Sequence, residues 1–163
     1  MSDIASLRHQ AQLTRDVVRL NVEGISHEQS LNQPRPAGNC INWVLGHLIV
    51  VYNEVLPLLA QASVETSGPL TRYARGSLPI TRASEALPLR DLVTAWDEAC
   101  VRIDAGLGAL PPRRLDALIP DGPTGDPHET LGSLLGTVLF HQAYHAGQLG
   151  LLRRIAGETG AIA

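Results

Sequence analysis

Two histidines four residues apart, in Phe140-His141-Gln142-Ala143-Tyr144-His145-Ala146-Gly147-Gln148, are the side chains of this chain whose spacing points most directly to chemistry. They lie in a proline-free run from about Glu129 to Ala156, where Leu131, Leu134, Leu135, Val138, Leu149 and Leu152 recur at three- and four-residue steps. That spacing predicts an amphipathic helix. At about 100° per residue, His141 and His145 share the side that carries Leu134, Val138 and Leu152. Two imidazoles so placed start roughly 6 Å apart and can converge on one ion. Two core histidines satisfied by hydrogen bonds are the blander reading of the same spacing.

A second apolar stretch, from about Cys40 to Leu59, carries His47 in Asn42-Trp43-Val44-Leu45-Gly46-His47-Leu48. His47 falls at the edge of its apolar stripe, beside Trp43 and Val51. If the two helices are neighbours, three neutral imidazoles meet. Three protein nitrogens with an open fourth position form the donor set of a catalytic zinc-type ion. Glu54 lies seven residues after His47 and faces the same way. A surface carboxylate or an arginine pair is its ordinary role, and support of a metal-binding histidine is the sharper one.

Other chemistries are disfavoured. His141-Gln142-Ala143-Tyr144-His145 has the two-histidine spacing of zinc proteases, but glutamine replaces the glutamate that would act as base. There is no Gly-x-Ser-x-Gly elbow for a serine hydrolase. Every basic side chain is arginine, which excludes lysine Schiff-base chemistry and a phosphate loop ending in Gly-Lys. Cys40 and Cys100 are far apart, in no metal-binding spacing, and are expected to be free thiols.

Asn32-Gln33-Pro34-Arg35-Pro36, leading into Ile41-Asn42-Trp43-Val44-Leu45-Gly46-His47, together with Phe140-His141 and Tyr144-His145-Ala146-Gly147-Gln148, resembles the DinB-like superfamily. That group includes metal-dependent thiol transferases that use bacillithiol or mycothiol. The resemblance extends over nearly the whole chain and implies an all-α, four-helix bundle of the DinB/YfiT-like type. It assigns His47, His141 and His145 as ligands of a divalent metal, with zinc or nickel the expected ion and a low-molecular-weight thiol the expected cosubstrate. It also implies a homodimer. Gln148, next to the two histidines on the same face, is placed in the cofactor site, where it can orient a ligand; an interhelical or capping hydrogen bond is its alternative. Tyr144 points to another side of the helix. The implied activity is thiol S-transfer or hydrolysis of a small-molecule substrate; a non-catalytic, stress-related metal-binding bundle is the alternative.

Four helices must position these residues. The first runs from Asp3 to about Ile25, with Ser2 or Asp3 as cap and Ile4, Leu7, Leu13, Val17 and Val18 inward. The second spans about 40–59, capped by Asn39 and ended or kinked by Pro57. Gly46 leaves room for close backbone approach. The third spans about 88–110, with Pro88 in its first turn and Trp96 in the core. Gly157 closes the last. His9 and His27 read as surface residues, and His128 is roughly 20 Å of helix from His141. Residues 60–87 and 111–127 read as loops. In the first of these, Arg72, Tyr73 and Arg75 are expected to be solvated, with contact to an anionic or polar substrate the alternative.

At 163 residues, 44% hydrophobic and with a net charge of −3, the chain is expected to fold as one globular domain over 1–163. The charge gives no reason to expect nucleic-acid binding. Residues 1–6 lack the basic and apolar regions of a signal peptide. The apolar run 44–59 is interrupted by His47, Asn53, Glu54 and Pro57, so no membrane span and a cytoplasmic location are expected.

Overall fold

The computed structural model describes residues 3–120, 122 and 124–162. Asp3 starts the first helix, α1 (Ile4–Val22), by accepting a hydrogen bond from the Ser6 amide at 2.7 Å. Leu7, Ala11, Thr14 and Val18 form its buried stripe. Leu13 was expected inward but is 52% exposed, because it lies off that stripe.

The second helix, α2 (Ile41–Val55), is buried nearly all round from Ile41 to Ile49 and continues as a 3-10 turn, Leu56–Leu59, where Pro57 ends the α-helical ladder. Its N-cap is Cys40 rather than Asn39, and Cys40 makes no side-chain capping bond. Tertiary packing of an apolar helix holds this end where a cap is missing. Ile41–Leu59 has the length and apolarity of a membrane span, yet most of it is buried inside the bundle.

The third helix is α3 (Leu89–Ala109), with Pro88 at the N-cap, where the missing N–H leaves no bond unmade. Trp96 is fully buried and stacks on Tyr52 with ring centroids 5.2 Å apart. The fourth is α4 (Leu131–Ile155), which starts with a reciprocal capping box between Thr130 and Ser133. It ends before Gly157, whose φ of 93° suits glycine. Among the described residues there is no strand, only an isolated bridge between Leu118 and Thr130.

α1 and α2 each pack against both α3 and α4. Cross-helix contacts set the directions. Arg8 pairs with Asp104 and Arg19 with Asp97, so α1 and α3 run opposite ways. Asn42 bonds the Leu87 carbonyl, while Leu59 at the other end meets Gly106, so α2 and α3 run the same way. Parallel helices cannot be joined by a tight turn. The chain must travel back along the bundle, roughly 30 Å for a helix the length of α3. That requirement accounts for the long segment between them, which contains 3-10 turns at Leu70–Tyr73 and Ala83–Glu85. It crosses the outer side of α2, and there it meets His47.

Candidate metal centre

Gly46 is where the crossover segment touches α2. A Cβ at this position would overlap the Tyr73 ring, so glycine lets that ring lie directly on the helix. Tyr73 is fully buried; it is neither a solvated loop residue nor positioned as a substrate contact. Its hydroxyl donates to Asn42 Oδ1 at 2.9 Å and accepts from the Leu87 amide at 2.8 Å. Anchored at its side chain, Tyr73 presents its main-chain carbonyl 2.9 Å from His47 Nδ1.

A carbonyl only accepts, so Nδ1 of His47 carries the proton and Nε2 is left with a bare lone pair. Trp43, one turn earlier, stacks on the His47 ring with centroids 4.8 Å apart. Its indole N–H donates to Ser77 Oγ at 3.0 Å. The ring is thereby fixed in both tautomer and plane.

α4 brings the other two imidazoles. Gln142 is fully buried and donates through Nε2 to the Leu48 carbonyl at 3.0 Å, joining α4 to α2 beside His47. His141 and His145 then face His47 across the helix pair. The candidate ligand atoms of all three lie within 4.8 Å of one another. Nε2 of His47 and Nε2 of His141 are 3.2 Å apart. Two ligands about 2.1 Å from a tetrahedral ion would be separated by roughly 3.4 Å. Gln148, three residues after His145, holds its Oε1 at 2.8 Å from His145 Nδ1, which leaves that ring's Nε2 free.

Burial is the largest cause of a lowered pKa at all three histidines. For His141, added repulsion from His145 and His47 brings it to about 4. The Tyr73 carbonyl opposes the shift at His47, and the Gln148 oxygen opposes it at His145. The exposed Arg75 guanidinium disfavours charge on both His47 and His141. The cluster is therefore neutral near pH 7, the state in which imidazole binds a metal.

The donor set fits a divalent cation. The bare Nε2 of His47 lies 3.2 Å from Nε2 of His141, where either the Nε2–H of a neutral His141 or a cation shared by two bare nitrogens satisfies the pair. His141 Nδ1 and Gln142 Oε1 are buried without hydrogen-bond partners, so the neutral network alone does not satisfy its own polar atoms.

The remaining candidates lie elsewhere. Glu54 is exposed and makes neither an arginine pair nor a hydrogen bond to a histidine among the described residues. Arg72 pairs with Glu85 at 3.1 Å, and Arg75 is exposed. His9 and His128 are exposed; His27 is exposed too, though its Nδ1 accepts the Leu89 amide at 3.3 Å. Cys40 and Cys100 are free, and burial pushes both thiols up, away from reactivity. The roles of Tyr73 and Trp43 in the centre do not follow from the residue pattern. Gly46, a glycine within a helix beside the histidine, was the one signal of a close approach there.

The sequence pattern of the DinB superfamily matches residues 10–149, a span that includes all three histidines. The chain belongs to the DinB superfamily. Within this DinB-superfamily chain the three-histidine group could hold a metal ion. No curated protein matches the chain.

Proposed function

We propose that this protein is a divalent-metal enzyme whose metal is held by His47, His141 and His145, and that it transfers the sulfur of a small thiol to an electrophile. The observation that carries the proposal is the convergence of three neutral imidazoles, two with their Nδ1 sides engaged by oxygen acceptors. Zinc or nickel suits this donor set. A divalent ion there would act as a Lewis acid and lower the pKa of a thiol or water at its open side.

The chain's own residues favour the thiol over water. Hydrolysis calls for a group that takes a proton from the attacking water. Gln142 cannot do so, and its amide N–H is committed to the Leu48 carbonyl. No carboxylate joins the histidine cluster among the described residues. A thiol starts near pKa 8.5 and needs only a modest downward shift to react as thiolate at neutral pH. Tyr73 and Gln148 keep His47 and His145 in the tautomer that binds through Nε2. Trp43 and the buried α2 surface exclude water from one side.

The test supplies zinc- or nickel-loaded protein with a low-molecular-weight thiol and an electrophilic chloroarene, following chloride release as the S–C bond forms and the thiol proton is lost. Turnover abolished by chelation and by His145→Ala supports the reading. Metal-dependent hydrolysis of an ester without thiol transfer would replace it with the hydrolase reading. A metal-loaded protein inert in both assays would leave the non-catalytic metal-binding bundle.

We place this enzyme in the cytoplasm as a homodimer. Exposed Phe140, Tyr144 and Leu13 support pairing of copies through α1 and α4, where Leu13, Leu139 and Phe140 line a groove of about 550 Å³. Sedimentation should give twice the chain mass; a monomer at micromolar concentration would contradict it.

A further inference from the structure

The segment from Tyr73 to Ser77 is fastened at both ends to the wall of the metal centre. Its first residue gives its carbonyl to His47, and its last accepts the indole N–H of Trp43. Ser77 is itself held, through its hydroxyl to the Arg72 carbonyl at 2.7 Å and its amide to the Ala74 carbonyl at 3.1 Å. Arg75 is the midpoint of this tied turn, two residues from each anchor. Two residues of chain span at most about 7 Å, so the Arg75 backbone cannot leave the rim of the centre.

Arg75 is exposed and, among the described residues, has neither an ion pair nor a side-chain hydrogen bond. Its neighbour Arg72 is different: it is committed to Glu85 and to the Pro79 carbonyl. A free guanidinium whose field reaches His47 and His141 offers a planar, paired donor to a carboxylate. We infer that Arg75 is a specificity-determining residue that selects a substrate carrying a carboxylate a few bonds from its reacting sulfur. This inference rests on the metal-centre reading above and adds the charge of the substrate to it.

Cobalt-loaded protein tests it without relying on turnover. Its visible spectrum is titrated with 3-mercaptopropionate, which carries a carboxylate, and with neutral 2-mercaptoethanol. The native protein should bind the charged thiol about tenfold more tightly, the effect expected of one charge-assisted contact. Arg75→Gln should bring the ratio close to one with cobalt content unchanged, and Arg75→Lys should restore part of it. The Gln variant also controls for any preference due to the metal itself, since that preference would survive the substitution. Equal affinities in the native protein, or a preference undiminished in Arg75→Gln, would overturn the role of Arg75 while the metal centre stands. Failure of the native protein to take up cobalt would overturn the metal centre and this inference with it.

Discussion

His47 Nδ1 donates to the main-chain carbonyl of Tyr73 at 2.9 Å, across 26 positions of chain. This bond ties the crossover segment to the histidine on α2 and decides which nitrogen of that ring faces α4. Its geometry depends on Gly46, where the Tyr73 ring meets the helix backbone.

Gly46→Ala should therefore act on fold and site together. The added methyl overlaps a buried ring, an overpacking change that costs about 1–3 kcal/mol. Urea denaturation should show that loss, and metal affinity should fall because the Tyr73 carbonyl is displaced. Tyr73→Phe is the contrast. It keeps the ring and the carbonyl but strands Asn42 Oδ1 and the Leu87 amide, which costs about 1–3 kcal/mol, with metal affinity nearly unchanged.

Gln148→Leu should affect the site alone. Gln148 is partly buried and bonds His145 locally, within one helix. Losing an oxygen that orients a ligand imidazole lowers metal affinity about 10- to 100-fold. Competition with a chromophoric chelator measures this, and the melting temperature of the metal-free variant should stay close to native.

Acid should destabilise the metal-free protein in a defined window. His141 is lowered from 6.5 to about 4 on folding, chiefly by burial. Between these values the unfolded chain binds the proton and the folded chain resists it. Stability conferred by this group is thus complete above 6.5 and is lost as pH falls towards 4. His47 and His145 are lowered too and act in the same direction. The urea midpoint should drop between pH 7 and pH 5, and His141→Gln should reduce that drop.

The parts of this centre readable from sequence are those governed by helical periodicity. His141, His145 and Gln148 sit on one helix, where a spacing of three or four residues determines which side chains meet. His47 is legible in the same way, as a polar residue in an apolar helix. Leu13 shows the limit: it is apolar at a plausible step, but the true stripe passes through Leu7, Ala11, Thr14 and Val18. Tyr73 shows a different one. Its role comes from a main-chain carbonyl in an irregular segment, and no side-chain pattern encodes where a loop carbonyl will lie. The length of residues 60–87 was visible, but its cause, the parallel course of α2 and α3, depends on helix directions that periodicity does not specify.

The most direct test of the three-histidine centre is metal content of untagged protein, measured beside His47→Ala and His141→Ala. The native protein should carry about one divalent ion per chain and both variants should lose it, with each variant still helical by circular dichroism. Native protein that carries no metal and takes up neither zinc nor nickel at neutral pH would contradict that centre.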